Sequence, residues 1–379
     1  MIKKIFLLLL IASVLLIVSC DTSKVDDSTP SNLADLPVEN KASNNNSIIQ
    51  SISHKAHNGF TIKELTTHDP KEYLMGNISF VNLVDETVFI GMTSLNQPEV
   101  TILGYNLETN SQKEIYNGLG SIHFHSGIKI INDEELAIQL INKILFINRY
   151  TLEIISETVL DGIWEYDLSY DGTKIAYVQE GDLYISNLDL SDSKLLVNGV
   201  MCTDPNSDFY GFYTKFPLHS RWSHNNKLLL YIKEGYEGAD GIGILDLDSA
   251  TQRSIKFENM LFSPSYAEWF FHDKQILCSQ MRGERNAILV DLANNELVSI
   301  EQISWSGDYI PSPKENKFVY IKDPLQLYMF NMDTRDNFPI TPALEAIHNF
   351  TWSPDGKYIV VHANVGILLI EVNKILKRE

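Results

Sequence analysis

Along most of the chain, short apolar runs alternate with polar turns, and the alternation repeats. TWSPDGKYIVV at 351–361 places a tight polar turn, Ser353-Pro354-Asp355-Gly356, before a β-branched and aromatic run. Pro presets φ at the second turn position, Asp bonds its own backbone, and Gly accepts positive φ. The run Lys357 to Val361 suits a strand, and GILLIEV after a short polar break supplies a second one, so the phrase predicts a hairpin. Looser versions stand at 167–178 (DLSYDGTKIAYV) and 220–232 (SRWSHNNKLLLYI).

The second strand of each hairpin ends in a recurrent way: an apolar run, a polar residue, an apolar residue and a turn. Taking the polar residue as marker gives Asn106, Asn148, Asn187, Asp246, Asp291, Asn331 and Glu371, spaced by 42, 39, 59, 45, 40 and 40 residues. A further short strand follows most of them: QKEIY at 112, SKLLV at 193, QRSIKF at 252 and FPITP at 338. A period near 40 residues with four strands per unit predicts an all-β chain folded as a β-propeller of antiparallel blades. Seven markers imply seven blades, with six or eight as the alternatives. The motif is degenerate in blades one, two and five, as in NDEELAI at 132. The seventh blade lacks a last strand, whereas TIKELTT at 61–67 reads as a last strand with no blade before it. The N-terminal strand is therefore expected to complete the seventh blade, close the ring and remove two sheet edges.

Composition adds compartment and partner class. The 379 residues are 44% hydrophobic, enough for a large core, and 17 Tyr and 17 Phe suit strands. A formal charge of −19 repels phosphate backbones, so nucleic acid is not an expected partner. Lys3 and Lys4 precede an apolar run from Ile5 to Val18, short for a membrane span and suited to a signal-peptide core. Its end, Ile17-Val18-Ser19-Cys20, resembles the lipobox of bacterial lipoproteins. That resemblance implies a leader over 1–19, acylation of Cys20, and display on the extracytoplasmic face of a bacterial membrane. Two or three acyl chains anchor stably where a single chain does not. Residues 21 to about 58 carry Ser, Asn, Asp and Pro without apolar periodicity and read as a flexible tether, leaving 59–379 for the propeller.

Cys278 lies in a strand-like run, KQILCSQ, and reads as a buried thiol; a disulfide with Cys202 is the alternative. No CxxC, zinc spacing, P-loop, HExxH, EF-hand loop or dinucleotide fingerprint occurs, so no cofactor is expected.

The SPDGK-type turn followed by an LYxxNLD-type strand resembles the TolB-like propeller family over about 60–379. Members of that family that are peptidases carry a hydrolase domain with a GxSxG elbow, and no GxSxG occurs here. Oligogalacturonate lyases, also TolB-like propellers, use a His-rich metal site. In this chain His125, His219 and His348 fall just before or within the first strand of blades two, four and seven, the strand that lines a propeller channel. Three converging imidazoles could hold a divalent metal; separate imidazoles bonded at blade rims are the other arrangement. The longest interval contains MCTDPNSDFYGFYTKFPLHSRW, 201–222, an apparent insertion in which Phe209, Tyr210, Phe212, Tyr213 and Phe216 crowd together. With Trp164 near the channel, Tyr210 and Tyr213 are candidates for gripping an envelope protein or a glycan. The expected function is a membrane-anchored, non-catalytic binding module, with a metal-dependent polysaccharide lyase as the alternative.

Overall fold

The computed structural model describes residues 49–372 apart from 58–59, 68–77, 94–98, 123–126, 236–238, 240, 257–263, 271, 281–286, 301–308, 323–325, 345 and 365. These residues form seven antiparallel sheets, five of four strands and two of five, arranged as a seven-bladed β-propeller. The described residues hold no helix.

The recurring phrase folds the same way each time. At Ser353 the backbone N–H donates to Tyr358 O (2.8 Å), Gly356 N–H donates to Ser353 O (2.9 Å), and the hydroxyl donates to Asp355 Oδ1 (2.7 Å). Tyr358 N–H returns a bond to Ser353 Oγ (2.9 Å). Ser169 with Asp171 and Lys174, and Ser223 with Asn225 and Leu228, make the same set. The fourth turn residue needs φ > 0, supplied by Gly356 (72°), Gly172 (64°) and Asn226 (60°). Side-chain bonding to local backbone is why Ser, Asp and Asn recur at these sites.

The marker residues have a cause of the same kind. Each is the last residue of its blade's third strand. Asn106 Oδ1 accepts from the N–H groups of Glu108 and Thr109, Asn148 from Tyr150 and Thr151, and Asn331 from Asp333 and Thr334. Asp246 and Asp291 accept from Ser249 and Ala293. An amide or carboxylate there closes the turn into the outer strand.

Closure occurs as the sequence predicts. Phe60–Thr67 pairs antiparallel with the C-terminal strand Gly366–Glu371, from Thr61↔Glu371 to Leu65↔Ile367. The tether differs from expectation at its end. Ile49–His57 is a strand, the outermost of blade seven, paired with Phe60–Thr67. An added edge strand needs only backbone partners, so apolar alternation does not reveal it.

The core lies between blades. Seven apolar clusters stand among the described residues, one in each gap around the ring. The closing strand feeds two of them: Phe60 and Ile62 enter the cluster between blades six and seven, and Leu65 the one between seven and one. Buried Trp indoles add a repeated bond across the gaps. Trp222 Nε1–H donates to Asp167 O (3.1 Å), Trp269 to Arg221 O (2.9 Å) and Trp352 to Ile310 O (3.1 Å). Each joins the inner strand of one blade to the inner strand of the blade before it.

Candidate functional site

Antiparallel order fixes two faces. Every inner strand runs from an upper face to a lower one, where the Ser-Asp/Asn turns lie; every second strand returns to the upper face. The inner strands that matter here are Ile128–Ile130 of blade two, Ile163–Leu168 of blade three, Tyr213–Trp222 of blade four and Pro264–Phe270 of blade five.

Equivalent positions on these strands carry Lys129, Asp167, Arg221 and Glu268, charges that alternate in sign from blade to blade. Lys129 Nζ lies 2.8 Å from Asp167 Oδ1 and also donates to Leu168 O. Arg221 Nε lies 3.3 Å from Glu268 Oε2, and its Nη1 3.3 Å from Glu165 Oε1. The Arg221 side chain is only 7% exposed. Burial alone would lower the guanidinium pKa, but Glu165 and Glu268 outweigh it and raise it, so the charge is fixed. Burial pushes the Glu268 carboxyl up, and Arg221 partly offsets this.

A bulge sets this wall. Pairing passes from Leu218↔Ile232 to Arg221↔Leu230, leaving two residues opposite one, with His219 at φ 52°. The His219 N–H is thereby turned to Glu165 Oε2 (2.8 Å), and its ring Nδ1 lies 3.4 Å from Glu165 Oε1. Below, Asp273 accepts from the ring of His224 (2.7 Å) and from the N–H groups of His224 and Asn225. Burial opposes the Asp273 charge, but these bonds outweigh it and hold the carboxyl below its usual range.

The expected histidines have separate surroundings. His219 sits against Glu165, whereas His348, on the inner strand of blade seven, bonds Asn364 Oδ1 through Nε2 (2.6 Å) and packs against His362. His125 lies outside the described residues, as do Cys20 and the leader. Among the described residues, no group of three His, Cys, Asp or Glu side chains is placed to hold a metal ion. Cys202 and Cys278 are free thiols, and burial pushes the Cys278 thiol well up.

Two of the three aromatic candidates, Trp164 and Tyr213, come together, joined by Phe216. Trp164 meets Tyr213 edge-on (5.9 Å between centroids, 81°) and Phe216 likewise (6.2 Å, 88°), and Tyr213 meets Phe216 at 6.3 Å. Tyr213 and Phe216 belong to the inner strand of blade four, not to a loop; the insertion proper is shorter than 201–222. It comprises Val200–Met201 and the loop to Phe212. Val200–Met201 pairs with the free edge of that inner strand, the edge nearest the ring's axis. The insertion therefore lies at the upper mouth of the channel.

Glycines seat the Tyr213 ring. A Cβ on Gly181 would stand 2.6 Å from Tyr213 Cε1, and one on Gly199 would stand 3.1 Å from Tyr213 Cδ1. Burial raises the Tyr213 phenol pKa, with Asp182 and Glu180 adding to it. Trp164 remains 44% exposed and Tyr210 58%. The charged wall was missed by reading the sequence, although D-L-S, R-W-S and E-W-F put a charge at one place in three aligned repeats.

No protein-family model matches the chain, and no curated protein sequence does. Solved structures match in fold. An oligogalacturonate lyase in complex with manganese shares 13% identity at a TM-score of 0.62, over 86% of this chain and 96% of that one. An oligogalacturonate lyase from Vibrio parahaemolyticus shares 10% at 0.61, over 86% and 98%. The β-propeller domain of Cps50 (Swd1) from Myceliophteria thermophila shares 11% at 0.55, over 78% and 97%. These likenesses show a β-propeller and nothing narrower.

Proposed function

We propose that this chain is a TolB-like propeller lipoprotein, held at the extracytoplasmic face of a bacterial membrane through Cys20, that binds an envelope protein or glycan without catalysis. The observation that carries the reading is the exposed Trp164 beside Tyr213 and Phe216 at the upper channel mouth, with Tyr210 free on the insertion above. Exposed rings braced by neighbouring rings give large contact area at small entropic cost, which suits stacking on sugar or on a protein. The charges of the wall below pair with one another, Lys129 with Asp167 and Arg221 with Glu165 and Glu268, which supports a structural role for those pairs, while the buried Arg221 Nη2 has no hydrogen-bond partner among the described residues.

The lyase alternative draws on the two lyase folds among the solved structures. The distinct surroundings of His219 and His348 favour the binding reading over it. The test has two arms. In the first, the lipidated protein and its Trp164→Ala/Tyr210→Ala variant are cross-linked in their own membranes; a partner retained by the folded variant would reject this face as the binding site. In the second, purified protein is incubated with oligogalacturonate and Mn²⁺; formation of unsaturated products would reject the non-catalytic reading.

A further inference from the structure

The upper face carries more exposed apolar surface than the aromatic group alone. Leu119 ends the outer strand of blade one, Ile141 tops the hairpin of blade two and Val159 ends that blade's outer strand. Trp164, Val200, Met201 and Tyr210 follow on blade three and the insertion. The segments that carry these residues follow one another along an arc of the upper face. Ile141 N–H bonds Ser121 O, Leu160 N–H bonds Asn142 O, and Gln179 Nε2 bonds Asp161 O beside the Trp164 strand. Thr214 Oγ1 then bonds Val200 O. Scattered exposed apolar side chains are ordinary, but an arc on one face marks a contact surface.

The arc's rim is acidic. Glu180 and Asp182 flank the glycine that seats Tyr213, Asp161 stands between Val159 and Trp164, and Asp204 and Asp208 stand on the insertion. Among the described residues, the cations near it are Lys143, paired with Glu157 at 3.1 Å, Lys215, Lys233, whose Nζ reaches Ser254 Oγ, and Lys256, fewer than the carboxylates. A polyanionic ligand would meet like charge on that rim. A cationic one would meet carboxylates beside aromatic faces, the pair of features that attracts Lys and Arg.

We infer that the upper face docks a basic amphipathic polypeptide segment of a partner protein, its apolar side on the arc from Leu119 to Tyr210 and its Lys or Arg residues on the acidic rim. This rests on the binding-module reading and narrows it from protein or glycan to a cationic peptide.

The test is titration of the full-length protein with three synthetic peptides of about 18 residues, Lys/Leu amphipathic, Glu/Leu amphipathic and Lys/Ser, followed by tryptophan fluorescence and calorimetry. The Lys/Leu peptide is expected to bind at least about tenfold more tightly than either other peptide, weakening as salt rises from roughly 0.05 to 0.5 M. Glu180→Gln/Asp208→Asn should weaken it several-fold, whereas Glu108→Gln/Asp248→Asn, which removes as much charge from the lower face, should not. Trp164→Ala/Tyr210→Ala, checked for folding by circular dichroism, should abolish it. Equal binding of the Lys/Ser peptide, equal loss in both charge variants, or no binding of the Lys/Leu peptide overturns the inference. If Trp164→Ala/Tyr210→Ala still lost its membrane partner in that last case, the binding module would stand and the cationic ligand would not.

Discussion

Replacing Leu65 by Ala tests whether the N-terminal strand is part of the ring or an ornament on it. Leu65 is 1% exposed and packs with Val81, Leu83 and Val88 of blade one and Val360, Ile367 and Leu369 of blade seven. The change removes its isobutyl branching from a cluster walled by two rigid sheets, which collapse little. A buried Leu→Ala change of this kind costs about 2–5 kcal/mol. Unfolding entropy near 2.1 cal/mol/K per residue over the roughly 270 described residues gives about 0.6 kcal/mol/K, so a loss of about 3 kcal/mol lowers Tm by about 5 °C. Leu369→Ala, in the C-terminal strand of the same cluster, should lower it by about as much. Thr61→Ala, on the closing strand but partly exposed, should cost no more than about 0.5 kcal/mol. Scanning calorimetry of the three variants is the assay. A normal Tm for Leu65→Ala beside a depressed one for Leu369→Ala would show that the ring holds without its N-terminal strand, and would refute the closure argument.

Arg221→Met should destabilise by about 3–5 kcal/mol, because Glu165 and Glu268 lose their buried counter-charge; adding Glu165→Gln and Glu268→Gln should recover most of it, and urea midpoints that fail to recover would contradict the pairing. The lowered Asp273 pKa fixes a sign: its stabilisation is present above the ordinary carboxylate pKa of about 4 and fades as pH falls through it toward the folded value. Asp273→Asn should therefore narrow the gap between urea midpoints at neutral and acid pH, and an unchanged gap would remove this group from the account. Cys20→Ala should abolish metabolic labelling by fatty acid and release the protein from membranes, as fractionation would report.

Blade number and closure were legible because they rest on local chemistry that repeats. Ser353, Asp355 and Gly356 write a turn in side-chain bonds that need no distant partner, and Asn106 or Asp246 writes the next one. Ile49–His57 was not legible, since its partner is backbone and its own residues alternate weakly. The aromatic candidates were legible by crowding, but not their setting: Tyr213 reads as loop until the bulge at His219 lengthens the inner strand above it. Arg221 was hidden differently. Its meaning lies in carboxylates on two other blades, far off in sequence, and only the ring brings the three together.

The hairpin that ends in Phe60–Thr67 also decides how the molecule meets a mechanical pull. Tension on the chain before residue 49 reaches Ile49–His57 first, at the end paired with Thr67, and opens that hairpin one residue pair at a time. Such unzipping needs little force per step, unlike shearing a whole strand from its neighbour. Nine residues pay out before the pull runs along the backbone into the strand that shuts the ring. The outermost strand acts as slack in the line, and tugging at the N-terminal end spends itself there while the seven blades stay closed.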